Sequence, residues 1–347
     1  MNRFLRTSMM LALCATAGAD RLELTDGSQL EGFLLEDTST HVLFQVRGES
    51  EARKFKHAEV AALELTFPTE EERIAADPKW SPERVQLTIE RKFLAEEAAG
   101  IEIVRSKHYI IFSTAPGADR MAKAMEEIYK AFENTYPFEE PQGNPLLPVY
   151  LLKDRGQYTE WSMRSVGWTR AEAAKSAGHA WGDYFATYFT GGADATMYHE
   201  AGHQLVGNRL MLHGGGSWFQ EGMAVYFEDK WKKSKRLSSV ASGMIKSDRY
   251  TKFRVLFDVE SLLHSVGDST RESIAGQRYT QSGTIIAFLA EGKLKADFDK
   301  MLTELRNYRR EESAGDTVAG EHMWDTLFRK AYGLDIDGVE ELWKKHF

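Results

Sequence analysis

The chain has 347 residues, 42% of them hydrophobic, enough for more than one compact unit with a buried core and too apolar for a disordered chain. Its formal net charge of −8 argues against nucleic acid as a partner, which selects a basic face. The single cysteine, Cys14, excludes an intramolecular disulfide.

Residues 1–19 read as a secretory signal peptide: Arg3 and Arg6 form the basic region, Met9 to Ala17 the short apolar run, and Ala17-Gly18-Ala19 the cleavage site. That run is too short for a transmembrane anchor, so a secreted or periplasmic chain is expected. Leu13 stands where a small residue would precede a lipid-modified cysteine, which argues against anchoring at Cys14.

Residues 20–67 carry short β-rich runs separated by Asp, Gly, Ser and Thr, the pattern of a small SH3-like or Sm-like β-barrel. A structural or docking role is expected for it, with an envelope protein as a possible partner, and His41 and His57 are expected at the surface. Residues 68–99 form a polar linker region whose helix starts at Ser81 as N-cap and Pro82 as first residue. From 100 to 347 a larger α+β domain is expected. Its early part alternates strands (101–105, 108–113, 148–152) with a helix over 118–136, where Met121, Met125, Ile128 and Phe132 recur at helical spacing, and Asp154 caps the next helix. Ala180 to Thr190 reads as one strand.

The stretch Thr196 to Gln204 then brings His199 and His203 four residues apart, on one face if helical, with Glu200 beside them. Two imidazoles on one helix face can share a metal ion, and a catalytic zinc takes a third ligand from a neighbouring element while keeping one position open. Glycines 214 to 216 break the chain, and Ser217 with Gln220 has the form of a capping box at the start of a second helix, which carries Glu221 in its first turn. One zinc ion per chain, on His199, His203 and Glu221, is therefore expected.

These residues resemble the gluzincins, the zinc peptidases that include thermolysin and aminopeptidase N and are similar to the peptidase-like domains of bacterial envelope proteins. Trp218-Phe219-Gln220-Glu221-Gly222-Met223-Ala224-Val225-Tyr226 matches the Trp-x-x-Glu-Gly-x-Ala-x-Tyr pattern of the aminopeptidase N branch, and His203 to Asn208 is also similar. Two departures stand out. Seventeen residues separate His203 from Glu221, one fewer than is usual in that branch, and no Gly-x-Met-Glu-Asn motif precedes the helix.

The resemblance implies a zincin-like domain: a mixed sheet and active-site helix, then a helical subdomain. It implies Glu200 as general base and Tyr279, 58 positions after Glu221, as a hydrogen-bond donor to the transition state. It also implies that the strand before the helix, through Ala180, Trp181, Gly182, Asp183 and Tyr184, binds an extended peptide or protein substrate. The expected activity is zinc-dependent endopeptidase; the other classes left open are a catalytically silent envelope scaffold and a hydrolase of a non-peptide amide or ester. Helices are predicted over Ser217–Lys233, Thr251–Ser265, Arg278–Glu291, Asp297–Tyr308, Thr317–Tyr332 and Gly338–His346. His264 and His322 lack partners at ligand spacing.

Overall fold

The computed structural model describes residues 19–37, 41–49, 52–66, 70–141, 144–190, 195–262, 269–314 and 322–347. The signal-peptide reading of residues 1–19, with Cys14, therefore lies outside the described residues but for Ala19, and His264 does too. The fold is α+β with two five-stranded sheets, and the chain divides into two compact units: Met1–Gly100 with Glu139–Leu146, and Ile101–Phe138 with Leu147–Phe347.

The first unit holds β1 (Asp20–Leu24), β2 (Gln29–Asp37), β3 (His41–Val46), β4 (Arg53–Lys56) and β5 (Val60–Glu64), followed by α1 (Glu70–Ala75), α2 (Pro82–Lys92) and α3 (Ala95–Ala98). Its sheet is antiparallel in the order β4-β3-β2-β1-β5, around a core of Leu22, Val42, Phe44, Val46 and Phe55. The expected barrel is corrected here. A single helical turn, His57–Glu59, carries the chain from β4 at one edge to β5 at the other, where β5 pairs with β1. Among the described residues no pairing of β4 with β5 closes the sheet, and closure is what defines a barrel. His41, expected at the surface, is only 7% exposed, although it alternates with Val42 and so lies on the face of β3 opposite the core residues Val42, Phe44 and Val46. Ser81 caps α2 as its sequence predicts, its hydroxyl accepting the Arg84 N–H.

The second unit opens with β6 (Glu102–Arg105), β7 (Tyr109–Ser113), α4 (Ala118–Thr135), β8 (Leu147–Leu152), α5 (Arg155–Val166), α6 (Arg170–Lys175), β9 (Gly178–Trp181) and β10 (Tyr184–Tyr188). The mixed sheet runs β6-β7-β8-β10-β9, with β7, β8 and β10 parallel and an antiparallel strand at each edge. Tyr-Ile-Ile-Phe-Ser of β7 and Leu-Pro-Val-Tyr-Leu-Leu of β8 are buried throughout, as unbroken apolar runs are when both faces of a parallel sheet are covered. The buried stripe of α4, from Met121 through Met125 and Ile128 to Phe132, belongs to the same core as Ile111 and Val149. Truncating Phe132 to alanine there removes about 3–5 kcal/mol.

Helices complete the unit: α7 (Ala195–Asn208), α8 (Ser217–Trp231), α9 (Arg236–Lys246), α10 (Phe253–Phe257), α11 (Ser269–Glu291), α12 (Phe298–Ala314), α13 (Met323–Tyr332) and α14 (Ile336–His346). Three expectations change. The strand read over Ala180–Thr190 is a hairpin, β9 and β10, because Gly182 takes φ +62° and turns the chain so that Trp181 pairs with Tyr184. The helix read over Thr251–Ser265 is, among its described residues 251–262, confined to α10: Glu340 accepts the N–H of Phe253 at 2.7 Å, and the N–H of Leu262 leaves for the hydroxyl of Ser217. That bond also overturns the capping box, since Gly216 is the N-cap of α8 and Gln220 donates to the carbonyls of Leu212 and Gly214. Among the described residues no helix is long and apolar enough to cross a membrane.

Candidate metal centre

Helix α7 presents His199 and His203 one turn apart, and the second turn of α8 brings Glu221 to them; the first turn, where the sequence places that carboxylate, carries no acidic residue because α8 already starts at Ser217. Glu221 Oε2 lies 3.1 Å from His199 Nε2 and 3.2 Å from His203 Nε2, and the two imidazole nitrogens are 3.2 Å apart. The three side chains are mostly buried, Glu221 most of all. Tetrahedral zinc with bonds of about 2.0–2.1 Å requires donors about 3.3 Å from one another, so this donor set fits zinc in both type and spacing. Among the described residues it is the only cluster of three His, Cys, Asp or Glu side chains so arranged.

Helix α8 is held in place by close backbone approach. A Cβ on Gly222 would stand 2.8 Å from the Ser282 carbonyl oxygen, and one on Gly283 would stand 2.4 Å from Val225 Cγ1, so the two glycines interleave α8 with α11. That contact sets Tyr279 beside the site, its ring centroid 6.1 Å from that of His199. Tyr279 lies inside α11 and does not open a helix, because α11 starts nine residues earlier than Arg278, at Ser269. Burial first, then the carboxylates of Glu221 and Glu200, push its hydroxyl far above the ordinary tyrosine value, so it stays protonated at neutral pH.

Glu200 is not part of the donor cluster; its Oε2 accepts the Ala180 N–H of the edge strand at 3.0 Å. Burial raises its pKa to about 7; the imidazole of His199 opposes the rise and the charge of Glu221 adds to it. Burial also pushes Glu221 upward, but His203 and His199 outweigh it and hold that carboxyl well below the usual range. Two adjacent carboxylates are thus driven apart, one poised near neutrality and one fixed as an anion.

Glu228, two turns beyond Glu221, reads in sequence as the nearest substitute ligand. Its Oε2 instead lies 3.8 Å from His199 Nδ1, on the side of the ring opposite the donor nitrogen. At that distance it is a charge partner of the imidazole and not a hydrogen-bond acceptor, and its other oxygen accepts from Lys232; its seven-residue spacing from Glu221 on one helix face is the sequence signal for its place beside the site. In the hairpin, Ala180 and Trp181 lie on the edge strand β9 and Trp181 is 59% exposed, while Gly182 and Asp183 form the turn. Tyr184 does not line a cleft: it is buried and packs on Tyr150 and Trp161. His179 is buried as well and meets the Tyr158 hydroxyl at 2.8 Å, and His322 caps α13 and pairs with Asp258.

Residues 193–313 match a family described as "Protein of unknown function (DUF1570)". A search of curated proteins found no match. Among solved structures the chain is similar to the M1 zinc metallopeptidase from Deinococcus radiodurans, at 14% identity and a TM-score of 0.39, over 70% of this chain and 50% of that one. It is also similar to a glutamate-to-alanine mutant of that enzyme bound to a Tyr-Ser-Ala substrate, at 13% identity and a TM-score of 0.38, over 70% and 51%. The chain thus spans about half the length of the structures it matches.

Proposed function

We propose that this protein is a zinc-dependent peptidase that binds one zinc ion through His199, His203 and Glu221. The observation that supports it best is the convergence of two Nε2 atoms and one carboxylate oxygen at 3.1–3.2 Å, beside a second, half-buried carboxyl that is not one of the donors. A purely structural site has no need of that extra carboxyl. When bound, zinc supplies Lewis acidity, polarising a carbonyl and making water more acidic.

The protein's own groups do the rest. Glu200, poised at about 7, takes a proton from the water that attacks the scissile carbonyl carbon; as the C–N bond breaks it passes that proton to the leaving amine. Tyr279, kept protonated, donates a hydrogen bond to the oxyanion. Glu228 stands 3.8 Å behind the His199 ring as a charge partner.

The edge strand β9 is the proposed rest for an extended substrate, met through the exposed Trp181 beside Ala180, since the Gly178 groups and the Ala180 N–H are already bonded within the chain. An aminopeptidase anchors the free amine of its substrate, and this chain lacks the motif that supplies the anchoring carboxylate, so internal cleavage of peptides or proteins is proposed. The wider reading has a signal peptide over 1–19, export to the periplasm or beyond, a 20–67 module that meets an envelope partner, a 68–99 linker and a 100–347 catalytic domain. The test is metal analysis of the purified protein together with cleavage of a peptide library, each peptide with and without an N-terminal acetyl group. One zinc per chain and cleavage indifferent to acetylation are expected; a requirement for the free amine overturns the endopeptidase assignment, and a protein that binds no zinc overturns the whole.

A further inference from the structure

Helix α7 carries a second row of side chains beside the histidines. Glu200, Gln204 and Asn208 recur every four residues and so share one face. All three bond the backbone of the β9–β10 hairpin. Glu200 accepts the Ala180 N–H at 3.0 Å, Gln204 Nε2 donates to the Asp183 carbonyl at 2.8 Å, and Asn208 Nδ2 donates to the Gly182 carbonyl at 3.1 Å. Gln204 is 1% exposed and donates also to the Pro148 carbonyl of β8 at 3.0 Å, so one buried amide ties the hairpin turn to the sheet.

Strand β9 depends on such ties. It has four residues, stands at the sheet edge, and pairs with β10 alone. Its outer groups are largely engaged already: the Gly178 N–H and carbonyl both bond the Ser176 hydroxyl, and the Ala180 N–H bonds Glu200. A short edge hairpin opens locally at little cost unless further hydrogen bonds hold it. The turn residues Gly182 and Asp183 carry the two carbonyls that α7 holds.

We infer that Gln204 and Asn208 are positioning residues. They clamp the turn of the hairpin to α7 and thereby fix the height of β9 along the helix, which places the Ala180 amide on Glu200. The clamp rests on these hydrogen bonds alone; its consequence for substrate rests on the peptidase reading.

Hydrogen exchange and steady-state kinetics test the two parts separately. In Asn208→Ala, amides of residues 178–184 should exchange about 10-fold faster than in wild type, with α7, α8 and the zinc content unchanged. The KM for an acetylated peptide should rise about fivefold or more while kcat changes by less than about twofold. Gln204→Met, which keeps the side-chain volume and loses the donors, should show the same pattern, and Asn208→Gln, which keeps an amide donor, should restore part of it. Unchanged exchange at 178–184 in both loss variants overturns the clamp, and faster exchange with an unchanged KM overturns its role toward substrate. If the wild type neither binds zinc nor cleaves peptide, the peptidase reading fails while the exchange data still decide the clamp.

Discussion

At His108 the carboxylate of Glu126 is engaged twice by one residue: its Oε2 meets the ring Nδ1 at 2.6 Å and its Oε1 accepts the backbone N–H at 2.8 Å. The ring stacks on Tyr129 at 3.7 Å, and the Arg209 Nε donates to that tyrosine's hydroxyl at 2.7 Å. At Glu221 the same two residue types are arranged differently. One carboxylate oxygen faces two imidazole nitrogens that also face each other, and donor atoms of like kind crowd a common centre. The first cluster closes on itself through hydrogen bonds and holds β7 to α4. The second is the donor set proposed to close around zinc. A histidine beside a glutamate is thus uninformative by itself; the number of acceptor atoms aimed at one point separates a strut from a ligand set.

The sharpest way to break this contrast is to substitute in both clusters. His203→Ala, His199→Ala or Glu221→Gln should reduce bound zinc from one per chain to about a tenth or less and abolish hydrolysis, while Glu126→Gln keeps full zinc. Metal analysis after dialysis reads this directly, and zinc loss in Glu126→Gln would erase the distinction. Next in size, Glu200→Gln should bind zinc normally and lose roughly 10²-fold or more in kcat, the scale of general-base catalysis. Cleavage at the wild-type rate in that variant assigns the activity elsewhere.

Smaller effects sharpen the comparison. Glu228→Ala frees the far side of His199 and should weaken zinc affinity by about 10–100-fold without removing a donor, as chelator competition can measure. Glu126→Gln should cost about 1–3 kcal/mol of stability in denaturant melts, the price of an unsatisfied buried partner. That pair also has a pH signature. Burial raises Glu126, but bonds from the His108 ring, Ser106 and the His108 amide overcome it and hold its pKa at about 2, against an ordinary value of 4.5. Between those values the unfolded chain binds the additional proton, so the stabilisation is whole above pH 4.5 and drains away as pH falls toward 2. Wild type should lose stability over that window more steeply than Glu126→Gln.

Local order carried much of this arrangement into view. Two histidines at helical spacing and the Trp218 to Tyr226 stretch are patterns within a few turns, so His199, His203 and Glu221 could be named together before any tertiary contact was known. The strands and helix between residues 101 and 152 were legible for the same reason, since Met121, Met125, Ile128 and Phe132 declare one face. What escaped depends on crossings. Glu228 finds His199 Nδ1 only because α7 and α8 meet at a particular angle, and Gln204 finds Asp183 across a hairpin that read as one strand. The turn at Gly182-Asp183 was a visible signal, masked by the alternating aromatics around it. Helix α9, Arg236–Lys246, was missed because serines and a glycine dilute its pattern, and its buried residues are only Leu237 and Ala241.

The interleaved glycines of α8 and α11 would give the proposed zinc centre a size filter. Calcium takes six to eight oxygens at about 2.3–2.6 Å and needs donors that can retreat and recruit neighbours. Glu221 cannot retreat, because the residue after it, Gly222, already stands against the Ser282 backbone, and behind that contact Gly283 presses on Val225. On the proposed zinc reading, discrimination between small, nitrogen-loving ions and larger, oxygen-loving ones would then be set at a distance from the donors, by how closely two helices can lie. Adding a single methyl group at residue 283, in Gly283→Ala, would then register first as a changed preference among metals, with every donor atom still in the chain.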